Sequence, residues 1–340
     1  MWEKRSIEKR LQERLRAEFP ESKADAHWAD YVSMREALNS QILPEIKAIE
    51  PSLTMHDASH IGNVLDNIDR LLGDEVATIS AFDLYILCVC VLFHDAGNIS
   101  GRKRHNQEIS KVYESIKDKV SRSRPEQAVV LRIAGAHTGR GKGGTQDTLK
   151  DVPTEMSVGG IKVQAQRLAA VLRLADELAE GPQRTSWYML EKGKYDEGSE
   201  IHHVHSSCLD LNIDRGAGRI ALTYDFSVVA KAGSAVVHKP QVKETPLDAL
   251  LKFTYERIIK LDIERKYTKH YCDLLAPFKT VSVTLRFWSG GTEIEIGLNP
   301  LTLTDLVVPG DQVKGIDQID GNYEATRVLG KILSLTTQAG

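Results

Sequence analysis

The segment Phe82–Asp95 reads FDLYILCVCVLFHD and is apolar on nearly every side. A helix that is apolar all round must be covered by others, so the chain has to build a core around this one. Gly97 and Asn98 follow as C-terminal stop signals. His94 and Asp95 therefore fall in the last turn of a central helix, where unpaired carbonyls carry partial negative charge and favour a cation. An imidazole and a carboxylate at that depth are costly unless something pairs with them.

Two more segments bring the same residue types to apolar helices. Thr54-Met55-His56-Asp57 has the form of a capping box, with Thr54 as N-cap and Asp57 reaching back. The helix that follows carries the stripe Ile61, Val64, Leu65, Ile68, Leu71 and Leu72. His56 and His60, four apart, are expected on one face of it, with His60 continuing the stripe into the core. Residues 161–180 predict another largely apolar helix, with Asp176 on its inner stripe beyond Ala169 and Leu172. Arg173, one turn back, either pairs with Asp176, orients it, or contacts phosphate. Histidine and aspartate hold borderline divalent metals through nitrogen and oxygen, and one shared ion would satisfy His60, His94, Asp95 and Asp176 together.

The 340 residues suggest about two domains, and a net charge of −3 gives no global pull toward nucleic acid or anionic membrane. No apolar run is expected to reach the ~18 residues of a membrane span. The start, MWEKRSIEKRLQERLRAEF, is charged and helix-forming without a signal-peptide core, so a cytoplasmic location is expected. Cys88, Cys90, Cys208 and Cys272 show no CxxC pairing and are read as reduced thiols. Residues 1–50 predict two or three helices broken near Pro20 and ended near Pro51. Helices are also expected over 104–119 and 126–137, then a basic glycine loop at 139–144. Beyond Pro182 the pattern changes. His203–Ile213 and Arg219–Val228 alternate polar and apolar residues around Asp214–Gly218 and predict a hairpin. A helix over 246–275, a second hairpin from Lys279–Trp288 and Thr292–Gly297, and a helix near 322–335 follow. His202, His203 and His205 are read as surface residues. The expected class is α+β, with an N-terminal helical segment (1–50), an all-helical core (51–185) and an appendage of β-hairpins and helices (186–340).

His60, the doublet His94-Asp95 and Asp176, each on an apolar helix and in this order, resemble the HD superfamily of metal-dependent phosphohydrolases. The likeness covers about residues 50–185, with FHDAGN similar to the central doublet and LRLADEL similar to the segment of the final aspartate. It implies that these four residues ligate one metal inside an all-helical core. The stretch His56-Asp57-x-x-His60 looks like a subgroup with a second histidine one turn before the ligand. In the cyclic-nucleotide phosphodiesterase relatives that histidine protonates the leaving oxygen, and the role is carried to His56. Dinuclear members use further histidines after the doublet. His105 and His137 are present here without a tandem pair, so one metal is expected and a second is left open. The order of elements after residue 185 loosely resembles HD proteins of bacterial conflict and defence systems.

The resulting expectation is a phosphohydrolase acting on a nucleotide or other small phosphate ester through a metal-activated water. Asp95 bridges metal and water, and His56, or failing it His137, acts as general acid. His105, Arg102, Arg140, Lys142 and Arg184, together with the neighbouring Lys103 and Arg104, are candidates to hold substrate phosphate. Mixed nitrogen and oxygen ligands favour Mn²⁺, Fe²⁺, Co²⁺, Ni²⁺ or Zn²⁺. The expected partner is a small phosphorylated molecule, a nucleotide foremost. No membrane partner is expected, nucleic acid ranks behind, and a homo-oligomer is compatible with the sequence. Two rivals stay open: an HD-type single-strand nuclease, and a non-catalytic nucleotide-sensing regulator.

Overall fold

The structure, a computed structural model, describes residues 3–103, 105–116, 123–141, 144–231, 233–237, 245–306 and 312–338. Lys142 and Arg104 lie outside them. The chain divides into two compact units, Met1–Ala179 with Tyr267–Pro277, and Glu180–Lys266 with Phe278–Gly340.

The first unit is a helical assembly. Its elements are α1 (Ser6–Glu18), α2 (Glu21–Gln41), α3 (Leu43–Ile49), α4 (Ala58–Leu72), α5 (Ala81–Phe93), α6 (His105–Ile116), α7 (Arg124–Ala134), strands β1 (Met156–Val158) and β2 (Ile161–Val163), and α8 (Ala165–Glu177). Helix α5 is buried at every position and packs against α1, α2, α4, α7 and α8. It therefore occupies the central place its composition demands. Ala81–Ser100 does reach membrane-spanning length and apolarity, contrary to expectation, but its most apolar 18-residue window is 94% buried inside the protein. That is the condition of a core helix, because its apolar surface is already covered by the neighbouring helices.

Local chemistry corrects the sequence reading in two places here. Helix α4 is capped by Asp57, whose side chain accepts from the Ser59 and His60 amides, and not by Thr54. A carboxylate three residues closer to the apolar run competes better for the orphan amides, so His56 precedes the helix rather than sharing its face. The helix expected from residue 161 begins at Ala165. Ile161–Val163 instead pairs antiparallel with Met156–Val158 across Gly159 and Gly160, both left-handed, so this unit is not wholly helical. The Asp83 carboxylate on α5 accepts from the Gln164 amide at 3.0 Å and fixes the start of α8. The Asn67 amide on α4 donates to the Ala175 carbonyl at 3.0 Å, pinning the turn that carries Asp176.

The second unit is mixed. It contains α9 (Trp187–Glu191), α10 (Glu197–Cys208), β3 (Leu209–Asp214), β4 (Arg219–Lys231), β5 (Ser234–Val237), β6 (Thr245–Pro246), α11 (Leu247–Tyr271, its residues from Tyr267 counted in the first unit), β7 (Thr280–Ser289), β8 (Thr292–Glu293), β9 (Leu301–Leu303), α12 (Ile316–Ile319) and α13 (Ala325–Gln338). The β3–β4 hairpin forms as expected. Strand β4, however, pairs with β7 in parallel over Arg219–Ser227, which requires a long crossover, and α11 lies within it. Alternate residues Ile220, Leu222, Tyr224 and Phe226 of β4 and Val281, Val283, Leu285 and Phe287 of β7 are buried side by side, and α13 packs on β4 and β5. The strand expected from His203 is instead the end of α10. Val204 and Cys208, four apart, are both buried there, and a stretch this short satisfies either period.

Candidate metal centre

Asp95, one residue past the His94 cap of α5, sits between two sets of ring nitrogens. Its Oδ2 lies 3.3 Å from His94 Nε2 and 3.4 Å from both His60 Nε2 and His56 Nε2. Its Oδ1 lies 3.3 Å from His105 Nε2 and 3.5 Å from His137 Nε2. Asp176 Oδ1 closes the first set, 3.2 Å from His60 Nε2 and 3.5 Å from His94 Nε2. All of these groups are buried except Asp176, which is partly exposed. Two groups result whose donor atoms lie mutually within 4.8 Å: His60, His94, Asp95 and Asp176, and Asp95, His105 and His137. His56 belongs to neither.

Several rings are locked from behind. The Nδ1–H of His94 donates to Val91 O at 2.8 Å, that of His137 to Ala134 O at 2.7 Å, and that of His105 to Arg102 O at 3.1 Å; His56 Nδ1 bonds to Thr54 O. Such bonds leave the Nε2 lone pair facing inward, the usual state of a metal-binding imidazole. Yet His60 Nε2 faces His94 Nε2 at 3.2 Å, and His105 Nε2 faces His137 Nε2 at 3.3 Å. Lone pairs directed at one another in a buried site need a cation or a proton between them. Metal–ligand bonds near 2.1 Å place neighbouring donors ~3.0 Å apart in an octahedron and ~3.4 Å apart in a tetrahedron. The first group, with separations of 3.2–3.5 Å, fits such an ion.

The electrostatics agree. Burial by itself would lower the His94 pKa, but the Asp95 and Asp176 carboxylates outweigh it and raise it to about 10. Burial would raise both carboxyls. The charge on His94 holds Asp95 and Asp176 well below the usual carboxylate range, assisted on Asp95 by His56, His105 and His137 and on Asp176 by a hydrogen bond from His60. His137 is pushed down by burial, against the opposing pull of Asp95. The two carboxylates thus draw positive charge onto the rings between them, the place a divalent cation would take.

Gly97 contributes something its reading as a stop signal misses. A Cβ there would sit 1.9 Å from the His105 carbonyl oxygen, so only glycine lets the α6 terminus close on Asp95. Asn98 donates to Asp95 O at 2.9 Å and to Asp95 Oδ1 at 3.1 Å. The sequence pattern Asp-Ala-Gly-Asn held both signals, but spacing alone does not distinguish a helix stop from a close approach.

Arg102 Nη1 stands 3.3 Å from His56 Nε2. Arg140 is exposed and donates to Gly144 O at 2.9 Å. Arg184 is buried in the second unit, where its charge acts on Glu180. Arg173 directs Nη1 to Thr148 Oγ1 at 2.7 Å and lies over the Tyr267 ring at 4.7 Å. His203 and His205 are buried rather than on the surface, whereas His202 is exposed.

No curated protein and no solved structure matches this chain at a significant level. The HD-CE family model matches residues 50–252, more than half of the chain, and takes in His56 and every member of both donor groups. The chain belongs to the HD-CE family, and the buried histidine–aspartate cluster lies in its HD-type domain.

Proposed function

We propose that this protein is a metal-dependent phosphohydrolase acting on a nucleotide or a related small phosphate ester. The observation that carries the reading is the Asp95 carboxylate, shared between one complete donor group and one partial one in a buried site. A divalent transition metal held there supplies a Lewis acid for a phosphoryl oxygen and lowers the pKa of a water toward neutrality. His60, His94, Asp95 and Asp176 hold the first ion. The second Asp95 oxygen, with His105 and His137, offers three further donors, so the structure supports a second, more open position. On this reading His105 and His137 serve metal binding rather than substrate binding or proton transfer.

His56 is left for the acid. Its Nδ1 is tied to Thr54 O, which aims Nε2 at the edge of the cluster beside Arg102. In the imidazolium form Nε2–H gives its proton to the leaving oxygen. Arg102 steadies phosphoryl charge at the same edge.

Metal analysis of purified protein followed by a hydrolysis panel of nucleotides and phosphate esters with Mn²⁺ tests this reading. Turnover of at least one phosphate ester, abolished by the double change His94→Ala, Asp95→Ala, is expected. A metal-loaded protein that turns over none of them would leave the hydrolase assignment without support.

A further inference from the structure

A polar groove of about 520 Å³ opens in the first unit beside the second donor group. Ligand pockets commonly have ~300–1,000 Å³, so it is large enough for a small phosphorylated molecule. Its wall includes Asn106, which follows His105, and Ala136, which precedes His137. Two guanidiniums, Arg132 and Arg140, line it against one carboxylate, Asp151. Arg132 and the Gln107 carboxamide, both exposed, make no side-chain hydrogen bond or ion pair among the described residues.

The wall is built tightly. A Cβ on Gly139 would meet Asn106 Nδ2 at 2.7 Å, and one on Gly141 would meet Asp151 Oδ2 at 2.6 Å. Gly139 and Gly141 therefore let the backbone seat against these side chains. Two wall side chains also hold the turn that carries His137. Asn106 Nδ2 donates to Gly135 O at 3.2 Å and Thr138 O at 3.4 Å, and Thr148 Oγ1 donates to Ala136 O at 2.6 Å. Arg173, three residues before Asp176, donates to the same Thr148 oxygen.

We infer that this groove is a second anion site, binding a phosphate group through Arg132 and Arg140 apart from the donor atoms around Asp95. A ligand there touches the side chains that set the His137 turn, so its occupancy is felt at the second donor group. The phosphate comes either from a distal part of the substrate or from a separate effector; the site chemistry is the same.

The test is calorimetric binding of inorganic tripolyphosphate to the full chain carrying His94→Ala and Asp95→Ala, in EDTA, so that the metal cluster takes no part. Binding is expected, weakened about tenfold or more by Arg132→Gln with Arg140→Gln and largely kept by the two Arg→Lys changes. Both positions are exposed, and unchanged melting confirms that the variants fold. Absence of binding at millimolar tripolyphosphate, or equal binding by the Gln pair, overturns the inference. In the metal-loaded protein, a KM increase confined to di- and triphosphate substrates identifies the substrate's own distal phosphate. A change in kcat for a monophosphate ester on adding tripolyphosphate, without competition, identifies an effector. Failure of the hydrolase reading shows separately, as absent metal or turnover while tripolyphosphate still binds.

Discussion

The protein buries histidines in both units, and the two sets differ in what they ask for. In the second unit His203 stacks on Tyr195 with ring centroids 3.5 Å apart and bonds Thr185 Oγ1 through Nδ1 at 3.0 Å. His205 Nε2 meets the Tyr224 hydroxyl at 3.2 Å. The neighbouring Glu180 is held by Arg257 at 3.2 Å and by the Ser206 hydroxyl. In the first unit four rings converge nitrogen to nitrogen on two carboxylates, and hydroxyl partners are replaced by one another's lone pairs. Burial of a histidine is therefore no sign of a metal; convergence of Nε2 atoms whose Nδ1 is already committed is.

The largest contrast should come from paired substitutions. Changing His94 and Asp95 to Ala is expected to remove metal and all turnover, whereas changing His203 and His205 to Gln should leave metal content unchanged and cost only stability; metal analysis of the folded variants decides. A second test sharpens the boundary of the converging set. His60→Ala should lose metal and activity together. His56→Ala should keep its metal and lower kcat by roughly 10²–10⁴, the usual worth of a positioned acid, with a smaller loss on a substrate bearing a good leaving group. Metal loss in the His56 variant would make it a ligand instead.

Much of this was legible in the sequence, for a physical reason. Long apolar helices are set by local pattern, and Phe82–Asp95 could only be central. His60 and Asp176 followed from lying on such helices, and His94 and Asp95 from closing one. The misreadings fall where non-local or competing chemistry decides. Asp57 outcompetes Thr54 for the α4 cap, moving His56 off the helix while still leaving its ring near His60, at 5.4 Å between centroids. The His203–Cys208 stretch satisfies strand and helix periods alike. The parallel partner of β4 lies more than fifty residues on, beyond any local signal. The groove beside His137 is assembled from three separate stretches of chain and leaves no motif.

Smaller effects probe each region by itself. Gly97→Ala should push the His105 backbone away from Asp95 and weaken the second cation position by roughly 10–100-fold, as loss of a supporting contact commonly does. Equal affinity for both equivalents would show that His105 does not bind metal. In the second unit Glu180→Gln should destabilise by roughly 1–3 kcal/mol with metal binding intact, measured by denaturant unfolding. Acid should act there too. Burial holds His205 down at about 4, and the Arg184 and Arg257 charges hold Glu180 at about 2 against the opposing effect of burial. Both folded-state values lie below the unfolded ones of ~6.5 and ~4.3, so each contribution is complete above the unfolded value and lost as pH falls toward the folded one. Stability of this unit should therefore decline from about pH 6.5 downward, and His205→Gln should flatten the part between about pH 6.5 and 4. An unaltered pH profile in that variant would show that His205 is not the group responsible.

The most direct measurement is anomalous scattering at the manganese edge from crystals of the Mn²⁺-loaded protein. The expected result is a peak enclosed by His60, His94, Asp95 and Asp176, with any second peak on the other side of the Asp95 carboxylate toward His105 and His137. A loaded crystal with no peak at Asp95, or with its manganese bound elsewhere on the chain, would contradict it.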